Sequence, residues 1–202
     1  MDEGREGPKG HDMTRIAVRG PRGLLQRLIF FFSRRMFGRI PSSVAVWARS
    51  RRVFNGSTMM ELALQKTGVP TRAHALADLA AARQIGCRYC LDIGSWVGIQ
   101  KGLREQDLAG LDDFERAPCF SEAERAAIAF AEAMTQTPPA VDDALFARIS
   151  AHYDQAQIVE LAAIVGWEQY RARINHALGL VPEGFLDSCP IAPAHPKLAA
   201  TG

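Results

Sequence analysis

An all-α domain is predicted for this chain of 202 residues by three observations. Apolar residues recur at three- and four-residue spacing in almost every segment from Leu24 onward, alanine is abundant, and no alternating run of β-branched residues is long enough for a strand. With 48% hydrophobic residues the chain can bury one substantial core. The expected organisation is a tail over residues 1–22, one helical domain over 23–185, and a loosely ordered tail over 186–202.

The elements follow in order. Residues 1–22 are rich in Gly, Pro and charge without apolar periodicity and read as disordered, with Met13 a second candidate start. A first helix begins near Leu24, and its Leu24, Leu28, Phe31 and Phe32 are expected to form its core-facing side, with a peripheral membrane contact as the alternative. Pro41, Ser42 and Ser43 interrupt it and start a second helix over about Val44 to Arg52. Thr58 with Glu61 reads as a capping box opening a third, which Gly68 and Pro70 end. A longer helix runs from Thr71 to Ile85 on the stripe of Ala75, Leu76, Leu79, Ala80 and Ala82, and Gly86 suits a left-handed stop.

A further helix then runs to about Gln100. Ser121 with Glu124 caps an alanine-rich helix to about Thr135, before Pro138 and Pro139 force a loop. Asp142 or Asp143 starts the next. Asp154 with Gln157 caps the longest helix, through Ile158, Leu161, Ile164, Val165, Trp167, Tyr170, Ile174 and Leu178, until Gly179 ends it.

Net charge is +2, but residues 1–52 hold 12 of the 24 Lys and Arg against four acids, so this segment carries +8 and the remainder −6. The basic residues are interleaved with apolar ones and match no nucleic-acid motif, so no nucleic-acid partner is expected. No apolar stretch approaches the roughly 18–20 residues that span a bilayer, which argues against an integral membrane segment.

Four cysteines are present, and two of them, Cys87 and Cys90, form a CxxC directly after Gly86. A helix start carries partial positive charge and free N–H groups, which favour a thiolate, and two thiols three residues apart can close a small disulfide. Cys119 and Cys189 are distant in sequence and supply no second pair, so a zinc site is disfavoured; two structural thiols are the other alternative. The absence of a secretory signal pattern and the sparse cysteines suggest a cytoplasmic protein, where a CxxC is redox-active more often than structural. No flavin, nicotinamide or metal motif occurs, so no cofactor is expected.

Three stretches carry a resemblance: GCRYCLDIGS from Gly86 to Ser95, FSEAERAAIAFAEAMTQTPPAVDDALFARI from Phe120 to Ile149, and EQYRARINHALGL from Glu168 to Leu180. In this order the chain, over roughly residues 37–185, resembles the carboxymuconolactone decarboxylase and alkylhydroperoxidase D-like (AhpD-like) family. The resemblance implies a helical bundle assembled into homo-oligomers, commonly trimers or hexamers. It also implies reduction of a hydroperoxide or a disulfide substrate at the expense of an external thiol. In that chemistry the second cysteine, Cys90, attacks and the first, Cys87, resolves. A helix-start geometry taken alone favours the first cysteine instead. Lactone decarboxylation is not implied by the resemblance, because members with that activity do not depend on a CxxC; a carboxymuconolactone-type decarboxylase is the third and last-ranked reading, for which the sequence offers no identifiable acid–base pair.

Peroxidases of the family hold a histidine four residues after the second cysteine and a glutamate about three turns before the first. This chain has Gly94 and Ala75 there, and neither His74 nor Asp78 falls in register with the missing glutamate. The chain therefore resembles a weak peroxidase, or a redox-sensing oligomer without turnover. Four residues are candidates for supporting roles: Arg88 as a nearby positive charge, Tyr89 as a hydrogen-bond donor, Asp92, which faces away on a regular helix, and His176 on the last helix. Glu168, Arg171, Arg173 and Asn175 are expected to be structural, with Glu168 and Arg171 spaced for an ion pair.

Overall fold

The computed structural model describes residues 14–186, 190–191 and 193–194. Among them all regular structure is helical: α1 Gly23–Phe37, α2 Ser42–Trp47, α3 Arg51–Leu64, α4 Thr71–Ile85, α5 Arg88–Gln100, α6 Glu105–Gly110, α7 Glu122–Thr135, α8 Asp143–Ser150 and α9 Gln155–Ala177, with a 3₁₀ turn at Leu111–Asp113. The predicted all-α class is the observed one.

α4 is the axis of the domain. Ala73, Ala75, Leu76, Ala77 and Leu79 to Ala82 are buried, so this helix is apolar around most of its circumference and takes neighbours on several sides. Its alanines let α5, α7 and α9 approach closely. Gly68, just before α4, pairs with Gln157 and Glu160 at the start of α9, and Asp78 pairs with Arg171 further along, so α4 and α9 run in the same direction. α7 is also parallel to α4, with Arg72 bonded to Glu124 at one end and Arg83 to Glu132 at the other. α5 returns antiparallel after Gly86, whose φ of 78° supplies the left-handed stop.

The capping boxes expected at Ser121 with Glu124 and at Asp154 with Gln157 are formed. Three expectations near the N-terminal half are corrected. The second helix stops at Trp47, and α3 starts at Arg51, capped by Ser50, whose Oγ accepts from the Val53 N–H. Thr58 and Glu61 therefore lie inside a continuous helix: burial of Phe54 and Ser57 holds the first turns, and Glu61 is drawn to Trp167 and Arg171 instead. The short α6 was not anticipated; Asp107, at its third position, reaches back to the Arg104 N–H. The third correction concerns α1, whose Leu24, Leu28, Phe31 and Phe32 do not face the core. They are 76%, 45%, 63% and 60% exposed, while the side chains α1 buries are Gln26 and Ser33.

From Thr14 the N-terminal arm lies on the end of α9, with the Arg15 N–H donating to the Leu178 carbonyl and Ile16 and Val18 against the core. In the C-terminal segment Ile191 is buried and the Ala194 N–H donates to the Arg83 carbonyl. Residues 1–13, and Cys189 with the other remaining residues of the C-terminal tail, lie outside the described residues.

Candidate thiol site

Gly86 turns the chain out of α4, and Cys87 becomes the N-cap of α5. Cys87 and Cys90 are joined as a disulfide with Cα atoms 5.3 Å apart. The Cys90 N–H donates to Cys87 Sγ at 3.2 Å, so the first sulfur takes one of the free donors of the helix start. The second sulfur has a partner from elsewhere in the fold: Asn175 Nδ2 on α9 donates to Cys90 Sγ at 3.7 Å. The Asn175 amide is fixed in turn by Trp47 on α2, whose indole Nε1 donates to Asn175 Oδ1 at 3.1 Å. Both cysteines are 6% exposed, so exposure does not distinguish them. What distinguishes them is the donor: backbone for Cys87, side-chain amide for Cys90.

Trp47 belongs to an aromatic cluster. It meets Trp167 and Tyr170 edge-on, and those two stack with ring centroids 4.9 Å apart. Trp167 donates to Glu61 Oε2 at 2.8 Å, which opens onto a polar cluster between α3, α4 and α9. There a single guanidinium, Arg171, serves three carboxylates: Asp78 through both oxygens, Glu61 at 3.0 Å and Glu168 at 2.8 Å. The expected ion pair of Glu168 and Arg171 is thus part of a larger group.

One cation cannot neutralise three carboxylates, and the deepest acid retains its proton. Glu168 is 3% exposed and one of its oxygens has no hydrogen-bond partner. Burial pushes its carboxyl up to about 8, and the negative charge of Asp78 adds to this against the pull of Arg171. Burial also opposes the ionisation of Glu61, but Arg171 and Trp167 outweigh it and hold that carboxyl low. Burial works against the charge on Arg171, and its three acids more than offset this. His74, one turn before Asp78, is held below its usual range by burial, with Asp78 opposing.

The other candidates are placed as follows. Arg88 is exposed. Tyr89 is buried and directed away from the sulfurs, donating to Ser43 Oγ and accepting from the Ser43 N–H; burial raises its phenol well above the usual range. The Asp92 carboxylate accepts from the backbone N–H groups of Glu183, Phe185 and Leu186 and so ties the segment after α9 to α5. His176 is exposed, whereas its neighbour Asn175 is buried. A single position, about 100° of helix rotation, separates the residue that touches Cys90 from the one that does not. Arg173 is exposed and bonds Gln169.

At the two positions where family peroxidases carry their relay, Ala75 is 5% exposed and a Cβ added at Gly94 would lie 3.2 Å from Leu79 Cδ2. Leu79 occupies the space that a side chain at position 94 would enter. Among the described residues no cluster of His, Cys, Asp and Glu could hold a metal ion.

The sequence assigns Asn175, Glu168 and Arg171 structural roles only; it gives no place to Trp47, to the contact of Asn175 with Cys90, or to the convergence of Asp78 and Glu61 on Arg171. A signal was present. The buried stripe of α9 is Ile158, Leu161, Ile164, Val165, Glu168, Ala172 and Asn175, so a carboxyl and an amide fall on core positions of an otherwise apolar stripe.

Comparison with known proteins places this arrangement. The sequence profile of the carboxymuconolactone decarboxylase family matches residues 54–133. The uncharacterized protein YnjA of Escherichia coli is 31% identical over 164 residues, spanning 80% of this chain and 90% of YnjA. Among solved structures, the debrominase Bmp8, as its C82A variant in complex with 2,3,4-tribromopyrrole, superposes with a TM-score of 0.76 at 19% identity, covering 85% of this chain and 95% of that one. ATU0492 from Agrobacterium tumefaciens, a protein of unknown function whose suggested role is antioxidant defence of the AhpD kind, superposes with a TM-score of 0.61 at 25% identity, covering 64% and 90%. With the CxxC opening α5 inside an all-α domain of this architecture, the chain belongs to the carboxymuconolactone decarboxylase family.

Proposed function

We propose that this protein is a thiol-dependent oxidoreductase that reduces organic hydroperoxides, or a partner's disulfide, through the Cys87 and Cys90 pair. The observation that carries the reading is the amide of Asn175, held by the Trp47 indole, donating to Cys90 Sγ. A neutral donor aimed at a buried sulfur favours its anionic form, which is the nucleophile. In the reduced protein the Cys90 thiolate attacks the outer peroxide oxygen. The O–O bond breaks, the alkoxide takes a proton and leaves as an alcohol, and Cys90 becomes a sulfenic acid. The Cys87 thiol then attacks that sulfur, water leaves, and the disulfide forms. An external dithiol returns the pair to the reduced state and is itself oxidised to a disulfide. Assembly into homo-oligomers, as trimers or hexamers, is part of the proposal.

A second reading is oxidation sensing without turnover. The packing of Gly94 against Leu79 favours it, since no relay side chain stands next to Cys90 at that position.

The test is thiol counting by mass spectrometry after a small excess of an organic hydroperoxide, with Cys87→Ala and Cys90→Ala alongside the wild type. Rapid disulfide formation, with sulfenic acid trapped on Cys90 in Cys87→Ala and none on Cys87 in Cys90→Ala, supports the peroxidase reading. Thiols that react no faster than an exposed model thiol overturn it.

A further inference from the structure

α1 turns most of its large apolar side chains outward. On a helical wheel Leu24, Leu28 and Phe31 form one stripe and Leu25, Phe32 and Met36 the adjacent one, and all six side chains are exposed. The opposite side, where Gln26 and Ser33 are buried, is the side applied to the protein. Gln26 Nε2 donates to the Ala48 carbonyl, and its Oε1 accepts from the Arg22 N–H. α1 is thus fastened to the domain by these polar bonds together with Phe30 against Phe54 and Phe37 against Trp96 and Phe185, while the six exposed large apolar side chains are held outward. A face of six large apolar side chains on one 15-residue helix exceeds the single scattered residues of an ordinary surface.

The segment that carries this face has charge of one sign. Residues 13–60 contain ten arginines and no acidic residue, and all ten arginines are exposed. Among the described residues only Arg39 of these forms an ion pair, with Glu183 at 4.0 Å. Arg27 and Arg34, seven residues apart, line one edge of the apolar stripes, and Arg22 and Arg51 line a hollow with Leu24 and Leu25 at the start of the helix. Arg35 lies on the apolar side near the helix end, where a long side chain can carry its guanidinium out along the helix.

We propose that the apolar face of α1 docks on an anionic phospholipid surface, with Leu24, Leu28, Phe31 and Phe32 entering the headgroup and acyl boundary and the surrounding arginines pairing with lipid phosphates. This is an interfacial contact: no helix among the described residues is long and apolar enough to cross a membrane. An apolar stripe bordered by arginines, without acids over this whole stretch, matches such a surface in both shape and sign. A two-fold contact between copies through the same face would bring two arginine-rich surfaces together, which like-charge repulsion opposes.

The experiment is flotation of the full chain with phosphatidylcholine vesicles, with and without phosphatidylglycerol, at low and high salt. The comparison variants are Phe31→Ser with Phe32→Ser, and Arg27→Glu with Arg34→Glu; circular dichroism and sedimentation velocity are recorded on each. The wild type is expected to bind the anionic vesicles at least about tenfold more than the neutral ones, with binding falling as salt rises. Both double variants, folded as the wild type, should fall to the neutral-vesicle level. Absence of binding, or equal binding to both vesicles, overturns the proposal. So does a wild-type oligomer that the Phe31 and Phe32 substitutions dissociate without any vesicle binding, since that result assigns the face to a second copy of the chain.

Discussion

Replacing Glu168 by Gln should flatten the pH dependence of stability between about pH 4.5 and 8. Below the lower limit the carboxyl is protonated in both the folded and unfolded states and contributes no slope. Between the two limits the unfolded chain has released this proton, whereas the folded protein keeps it, so stability falls as pH rises. Above the upper limit both states are ionised and the penalty is constant. The rise from 4.5 to about 8 corresponds, at about 1.4 kcal/mol per unit, to a loss of about 2–5 kcal/mol across the window, the lower figure allowing for relaxation around the buried group. Glu168→Gln keeps the shape and removes the charge, and Arg171 retains Asp78 and Glu61 as partners. The assay is urea unfolding of the oxidised wild type and variant at half-unit pH steps from 5 to about 9. The difference between the two curves is the informative quantity, because His74, whose pKa is lowered by burial, adds a slope of opposite sign that cancels in it. A difference curve that is flat, or that rises in favour of the wild type with pH, would refute the assignment of the retained proton to Glu168.

Asn175→Ala should slow alkylation of Cys90 in the reduced protein by roughly tenfold near neutral pH, the effect of losing one hydrogen bond to a charged group, with Cys87 changing less; mass-spectrometric rates for each thiol check this. Asp107 is fully buried, and although burial opposes its ionisation, bonds from Arg104 and Arg72 hold its carboxyl well below the usual range. Asp107→Ala should therefore cost about 2–3 kcal/mol, less than for a fully enclosed pair because both arginines reach solvent. The contribution of Asp107 is complete above the ordinary carboxylate range and is lost as pH falls below it, so acid unfolding of the two proteins should converge at low pH. Gly94→His should destabilise by about 1–3 kcal/mol through its contact with Leu79, and by less in a Leu79→Ala background; denaturant midpoints for the four proteins of this cycle give the coupling.

Local chemistry made most of the framework legible in the sequence. Ser121 with Glu124, Asp154 with Gln157 and Gly86 each act within a few residues, so their patterns announce helix ends without knowledge of the fold. Thr58 with Glu61 has the same pattern and fails, because Glu61 finds Arg171 and Trp167 across more than one hundred residues of chain. The orientation of α1 was illegible for a related reason: a helical stripe of Leu and Phe records amphipathicity but not which side meets the domain, and here Gln26 and Ser33, with Phe30 and Phe37, take that side. The pair of thiols could be read from spacing alone, while the amide beside Cys90 depends on the parallel run of α4 and α9, which no local pattern encodes. Asn175 rather than His176 reaches the sulfur because of helix phase, and the apolar stripe of α9 contained that phase.

The path from Cys90 through Asn175 to the Trp47 indole makes the redox state of the sulfur an optical property of the protein. Only three tryptophans are present, and Trp96 sits apart from the other two, against Phe37 and Phe185. Trp47 and Trp167 have ring centroids 6.4 Å apart, close enough to share excitation. Opening the disulfide exchanges a quenching group for two thiols and alters the field at an indole that is one amide away. Intrinsic fluorescence can therefore follow oxidation in real time, with no attached dye and no substitution at the thiols themselves.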